Sequence, residues 1–132
     1  MKSRLLIGLL LILILSACSG DVYELAYTAR GDSANILALT NTDIFQRTDD
    51  LNVVVRLGSH NDTVDVSATF FDPDGNQEGE TLTVKADKDT GMVILGLDFE
   101  QRPSGEDWQL GLWRIEIRID GEKVDDVEFR IQ

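Results

Sequence analysis

Enzyme chemistry needs a nucleophile with its base, a set of metal ligands, or polar groups converging on a pocket. This sequence offers few of these. It has one histidine, His60, and one cysteine, Cys18. A serine-histidine-acid triad needs a base placed between a nucleophile and an orienting carboxylate. His60 lies in Ser59-His60-Asn61-Asp62, a polar stretch that reads as a surface turn. One histidine and one cysteine are too few for a zinc site of the usual ligands. Carboxylates are plentiful, with 24 Asp and Glu, but nothing in the sequence marks a buried, spaced pair of the kind glycoside hydrolysis uses. A small enzyme is therefore the weakest functional reading.

Two further groups invite a binding role. Asp72, Asp74 and Asn76, followed by Glu78 and Glu80, place oxygens in one loop, as hard cations such as calcium prefer. The calcium-loop pattern of the EF-hand fails, because Phe70 stands where an aspartate is required. The alternative is turn chemistry, in which short acidic side chains bind nearby backbone N–H groups. Trp108 sits beside Glu106 and Asp107, at the entry to a strand. It is either a rim aromatic on a recognition surface or a cap on the end of the core, as its usual burial suggests. Trp113 is in phase with Ile115 and Ile117 and belongs to the core. Arg30-Gly31-Asp32-Ser33 resembles the integrin-binding tripeptide of adhesive proteins, and Asn61-Asp62-Thr63 has the form of a glycosylation sequon. Motifs this short arise readily by chance.

The elements that would position these residues follow from periodicity. Residues 51–57, 64–70 and 113–119 alternate, Val93, Leu95, Leu97 and Phe99 recur at period two, and Val127, Phe129 and Ile131 close the chain in the same way. Period two places each apolar set on one face of a strand. Short apolar runs at Ile36-Leu37-Leu39 and at Leu82 and Val84 read as further strands. Asp72-Pro73-Asp74-Gly75, Asp87 to Gly91, and Asp120-Gly121 supply the turns. Many short strands separated by turn signals predict an all-β antiparallel sandwich or barrel. Asp125, Asp126 and Glu128 on the last strand discourage pairing between sheet edges.

The amino terminus is of another kind. Lys2 and Arg4 precede an aliphatic run from Leu5 to Leu15, and the small residues Ser16 and Ala17 follow. This is the layout of a secretory signal peptide. The run is shorter than the roughly 20 residues a membrane-spanning helix needs. Leu15-Ser16-Ala17-Cys18 resembles the lipobox of bacterial lipoproteins. The resemblance implies cleavage before Cys18 and diacylglycerol on its sulfur. At about 0.8 kcal/mol per buried methylene, two acyl chains are enough for stable anchoring. Ser19, where an aspartate tends to retain lipoproteins in the inner membrane, implies an outer-membrane address in a diderm bacterium and the outward face of the cell membrane otherwise.

Cleavage would remove two of the 12 basic residues and none of the 24 acidic ones, moving the formal net charge from −12 to −14. That excess disfavours nucleic acid and anionic lipid surfaces as direct partners. With no second cysteine, the domain must be stable without an internal disulfide.

Trp108-x-x-Gly111-x-Trp113, continuing through Asp120-Gly121 to Ile131, together with Asn52 to Leu57 and Phe71-Asp72-Pro73-Asp74-Gly75, resembles an immunoglobulin-like module of bacterial envelope proteins. The organisation expected is a signal peptide at 1–17, a lipidated terminus and tether at 18–34, and an immunoglobulin-like β-sandwich at 35–132. A first edge strand could begin at Tyr23. The resemblance implies a noncatalytic binding or adaptor domain without a cofactor, held on the membrane through Cys18 and engaging another envelope protein. Carbohydrate- or calcium-dependent surface binding is the alternative.

Overall fold

The computed structural model describes residues 22–103 and 105–132. Cys18 and the signal-peptide region lie outside the described residues. Among the described residues nine strands run in chain order: β1 (Tyr23–Arg30), β2 (Thr40–Asn41), β3 (Ile44–Phe45), β4 (Leu51–Leu57), β5 (Val64–Phe71), β6 (Gln77–Ala86), β7 (Met92–Leu97), β8 (Gly111–Ile119) and β9 (Glu122–Ile131). Single 3-10 turns occupy Ile36–Ala38 and Phe99–Gln101. No helix among the described residues is long and apolar enough to cross a membrane.

The strands form two sheets, ordered β2-β1-β4-β7 and β3-β9-β8-β5-β6. All pairings are antiparallel except the two-residue contact of β3 with β9. Of the seven long strands, the first, second and fifth make one sheet, and the rest make the other. This is immunoglobulin connectivity with the fourth strand moved across to the second sheet. The fold is an all-β, immunoglobulin-like sandwich.

Alternation builds the core. β5 and β8 bury every second residue, including Val66, Phe70, Trp113, Ile115, Ile117 and Ile119. β4 and β7 bring Leu51, Val53, Val55, Val93 and Leu95 against them. Trp113 stacks on Phe129 with ring centroids 5.8 Å apart, and Phe45 and Phe70 meet Phe129 edge-on. The Asp-Gly hairpin expected from sequence joins β8 to β9, with φ of 50° at Asp120 and 81° at Gly121. Both values match the left-handed turn that suits two twisted strands.

Three expectations need correction. Residues 23–30 of the expected tether are a strand of the first sheet, paired with β4 along its length and with β2 at one end. Alternation of Tyr23, Leu25 and Tyr27 was the visible signal. The opposite phase is also partly covered, and Thr28 is buried and donates to the Thr42 carbonyl. Ile36-Leu37-Leu39 is not a strand: Ile36–Ala38 is a 3-10 turn, and Leu37 is 98% exposed. β4 does not have one wet face. Asn52 and Val54 are as buried as their inward neighbours, because β4 is central in its sheet and Ile36, Leu39 and Tyr27 cover its outer side.

Candidate functional site

The candidate site is the flank where the two sheets end, on β6 and β7. A cleft of about 240 Å³ runs between these strands, lined by Gly79, Leu82, Gly96, Leu97, Arg102 and Trp108 among others. Trp108 is 3% exposed, so it is not a free-standing rim aromatic. Its indole nitrogen donates to the Asp49 carbonyl at 2.7 Å, and its ring meets Phe99 and Trp113 edge-on at 5.9 Å. It closes the end of the core and borders the cleft.

Arg102 fixes the rim. Its guanidinium lies 4.6 Å from the Trp108 ring centroid, and its Nε donates to Glu78 Oε1 at 2.8 Å. Its Nη1 donates to the carbonyls of Asp107, at 2.6 Å, and Glu106. A planar, permanently charged group suits this combination of stacking and forked donation. The partners are 24 residues apart in sequence, and no local pattern announces the pair.

β6 and β7 are dissimilar strands. β6 carries Glu78, Glu80 and Lys85 and is interrupted opposite Ala68 and Phe70, where Gly79 takes a φ of +67°. β7, Met92-Val93-Ile94-Leu95-Gly96-Leu97, has no charge, no proline and no bulge. The Leu57 N–H donates to the Gly91 carbonyl at 2.9 Å, and the register continues through Val55↔Val93 and Val53↔Leu95. Alternation in an antiparallel ladder therefore directs the backbone groups of Gly91, Val93, Leu95 and Leu97 toward β4. Those of Met92, Ile94 and Gly96 point away from the sheet. β7 pairs only with β4 among the described residues.

Gly96 is required sterically. A Cβ there would fall 2.2 Å from Asn52 Oδ1 and 2.9 Å from the Leu51 carbonyl oxygen. Asn52 is held by donating through Nδ2 to the Gly31 carbonyl at 2.7 Å. Beyond Leu97 the chain enters an acidic basin of about 430 Å³, lined by Asp32, Asp49, Asp50, Asp98 and Glu100 and by no basic side chain. Burial, with the neighbouring Asp98 and Asp32 carboxylates adding, raises the Asp50 pKa, although the Phe99 N–H bound to Asp50 opposes this.

The other residues singled out by sequence are dispersed. Asp72 Oδ1 accepts from the N–H groups of Asp74 and Asn76, at 2.9 and 3.0 Å, closing the β5–β6 turn. Asp74 accepts from Gln109. No group of three or more His, Cys, Asp or Glu side chains among the described residues is arranged to hold a metal ion. His60 lies at the far end of the sandwich from the acidic basin, in the β4–β5 connection. Its Nδ1 faces the Gly58 carbonyl at 2.9 Å and its Nε2 the Asp87 carbonyl at 2.6 Å. Both contacts favour the imidazolium, which donates from both nitrogens, and the Gly58 contact is the main cause of a raised pKa. Arg30 is exposed at the end of β1, whereas Asp32 turns back to accept from the Ala34 N–H. Asn61 and Asp62 lie on an exposed bend.

No protein-family model and no curated protein matches the chain. Solved structures resemble the chain at low identity. One is the Pseudomonas fluorescens alkylpurine DNA glycosylase AlkC, bound to DNA containing an abasic site analog. It is 10% identical with a TM-score of 0.45, over 68% of this chain and 27% of the glycosylase. The chain thus spans about a quarter of that enzyme. Another is the CARDB domain of the PF1109 protein from Pyrococcus furiosus, in complex with di-metal ions. It is 12% identical with a TM-score of 0.39, over 85% of this chain and 90% of that one. Neither likeness assigns a ligand or an activity to this chain.

Proposed function

We propose that the protein is a lipid-anchored, noncatalytic domain of the bacterial cell envelope that binds another envelope protein. The observation carrying this reading is Leu15-Ser16-Ala17-Cys18 directly after the Leu5–Leu15 aliphatic run. The diacylglyceryl group on Cys18 is the membrane anchor, and Ser19 fits delivery to the outer membrane of a diderm bacterium. The strand architecture supports a binding role, because a rigid sandwich presents a fixed flank and fixed loops. A noncatalytic role is supported by His60, the sole histidine, whose two ring nitrogens both face backbone carbonyls and leave neither poised as a base.

Three residues separate Cys18 from Val22, which packs against the core and accepts from the Gly58 N–H. At about 3.5 Å per residue, that end of the sandwich lies within roughly 15 Å of the anchored cysteine. The β4–β5 end therefore faces the membrane, and the acidic basin faces away from it. Intact mass spectrometry of the chain extracted from membranes tests the reading. The expected species begins at Cys18 and carries diacylglycerol; an unmodified thiol at Cys18 overturns it.

A further inference from the structure

We infer that the free edge of β7 is a strand-addition site for an extended segment of another protein, in which basic residues precede a run of alternating apolar side chains. This rests on the adaptor reading above and names the surface and the partner chemistry.

An unpaired, apolar edge is a template for another strand, and folded proteins usually guard such edges with charge, bulges or brevity. The other edges here are guarded. β2 and β3 are two residues long and leave most of β1 and β9 as edges too, but β1 carries Glu24 and an irregularity between Tyr23 and Leu25, β9 carries Glu122, Lys123, Asp125, Asp126 and Glu128, and β6 carries charges and the irregularity at Gly79. β7 alone offers six regular, uncharged residues, with the N–H and C=O groups of Met92, Ile94 and Gly96 directed outward. An added strand would gain main-chain hydrogen bonds there, as in β-augmentation. Its side chains would alternate between two receptors. One set would lie beside Met92 and Ile94 on the outer face, near Val54 and Tyr27. The other would enter the cleft floored by Leu82, Leu97 and Trp108.

Charge selects the occupant. The basin at the carboxyl end of β7 holds five carboxylates and no cation in its lining, and the whole chain is at −12. A second copy of so acidic a body would be repelled, whereas a lysine- or arginine-bearing segment would be drawn in. In the antiparallel sense, the basic residues precede the apolar run and lie beside Asp98 and Glu100.

The test uses the full chain in nanodiscs of phosphatidylcholine, which is neutral and does not itself attract a cationic peptide. The probe is a synthetic decapeptide of two lysines followed by alternating valine and threonine. Amide hydrogen exchange read by NMR should slow at least ~10-fold at Met92, Ile94 and Gly96 when peptide is added, with Val93 and Leu95 unchanged. A peptide with glutamates in place of the lysines should bind ~10-fold more weakly or worse. Ile94→Pro removes one outward donor and should abolish the slowing at Met92 and Gly96. Met92→Lys, an exposed position that leaves the β4 ladder intact, should weaken binding of the lysine peptide by guarding the edge with a charge, as native edge strands do. Unchanged exchange at all three amides, protection on β6 instead, or equal binding of the acidic peptide overturns the inference. Intact mass of the same sample reports Cys18 separately. Lipid at Cys18 without edge protection sinks the edge alone, and edge protection with a free thiol sinks the anchor alone.

Discussion

β6 and β7 bound one cleft, yet β6 is built to refuse a neighbour and β7 to accept one. β6 is ten residues long, charged at Glu78, Glu80 and Lys85, and broken at Gly79. β7 is six residues long, apolar and regular. Length alone would make β6 the better template. The difference teaches that availability of a strand edge depends on charge and regularity, and that the shorter strand is the accessible one here.

The cleft both strands share depends on Trp108. Trp108→Ala should cost about 3–5 kcal/mol by urea denaturation, the usual loss for a buried aromatic, and should loosen β6 and β7 together. A loss confined to one strand's amides would show that the two are not joined through the core. The two glycines separate the strands more finely. Gly96→Ala should cost about 2 kcal/mol through collision with Asn52 and the Leu51 carbonyl. Gly79→Ala should cost about 1 kcal/mol, from its left-handed φ alone, since the added methyl meets only Leu97 Cδ2 at 3.5 Å. Equal costs would remove the distinction between a steric and a conformational glycine.

The turns flanking these strands give smaller, pH-linked effects. His60 ties the β4–β5 connection to the β6–β7 turn. Its pKa is raised on folding, so the clasp is complete below pH 6.5 and is lost as pH rises through the higher folded value. NMR titration of the ring should give a value above 6.5, and His60→Gln should remove the pH dependence of exchange at Asp87 to Thr90, after correction for intrinsic rates. A ring titrating at or below 6.5 would contradict the two-carbonyl geometry. At the opposite end, the raised Asp50 pKa works against the folded state as pH climbs through that value. Asp50→Asn should therefore hold stability level or raise it slightly at neutral pH. The smallest effect concerns the β5–β6 turn. Millimolar calcium should leave the melting temperature unchanged, because Asp72 already serves backbone donors. A rise would restore Asp72, Asp74 and Asn76 as ligands.

Those strands with one wet face were legible in the sequence. β5, β8 and the end of β9 alternate because water selects polar residues on one side, and Asp120-Gly121 declares its hairpin. β4 hid its second buried face because Asn52 looks solvent-facing until Gly31 and Gly96 are brought beside it. Ile36 to Leu39 read as a strand because apolar content alone does not distinguish a strand from a short lid over a neighbouring sheet. The candidate site was legible only in fragments. Trp108 stands out in the sequence, but its burial depends on Asp49 and Phe99, which reach it through the fold. β7 was visible as a strand, whereas its free edge is a property of sheet order, which periodicity does not encode. The signal that would have raised it is the absence of any charge or proline from Met92 to Leu97.

The rings of Phe99, Trp108, Trp113 and Phe129 touch in sequence from the flank inward, with Arg102 resting on the outermost tryptophan. The molecule thereby carries its own optical gauge. Excitation passes readily between indoles this close, so ultraviolet emission registers events at the rim and in the interior as one signal. Replacing Trp113 with phenylalanine would isolate the rim indole and let a single cuvette follow whatever arrives at that flank.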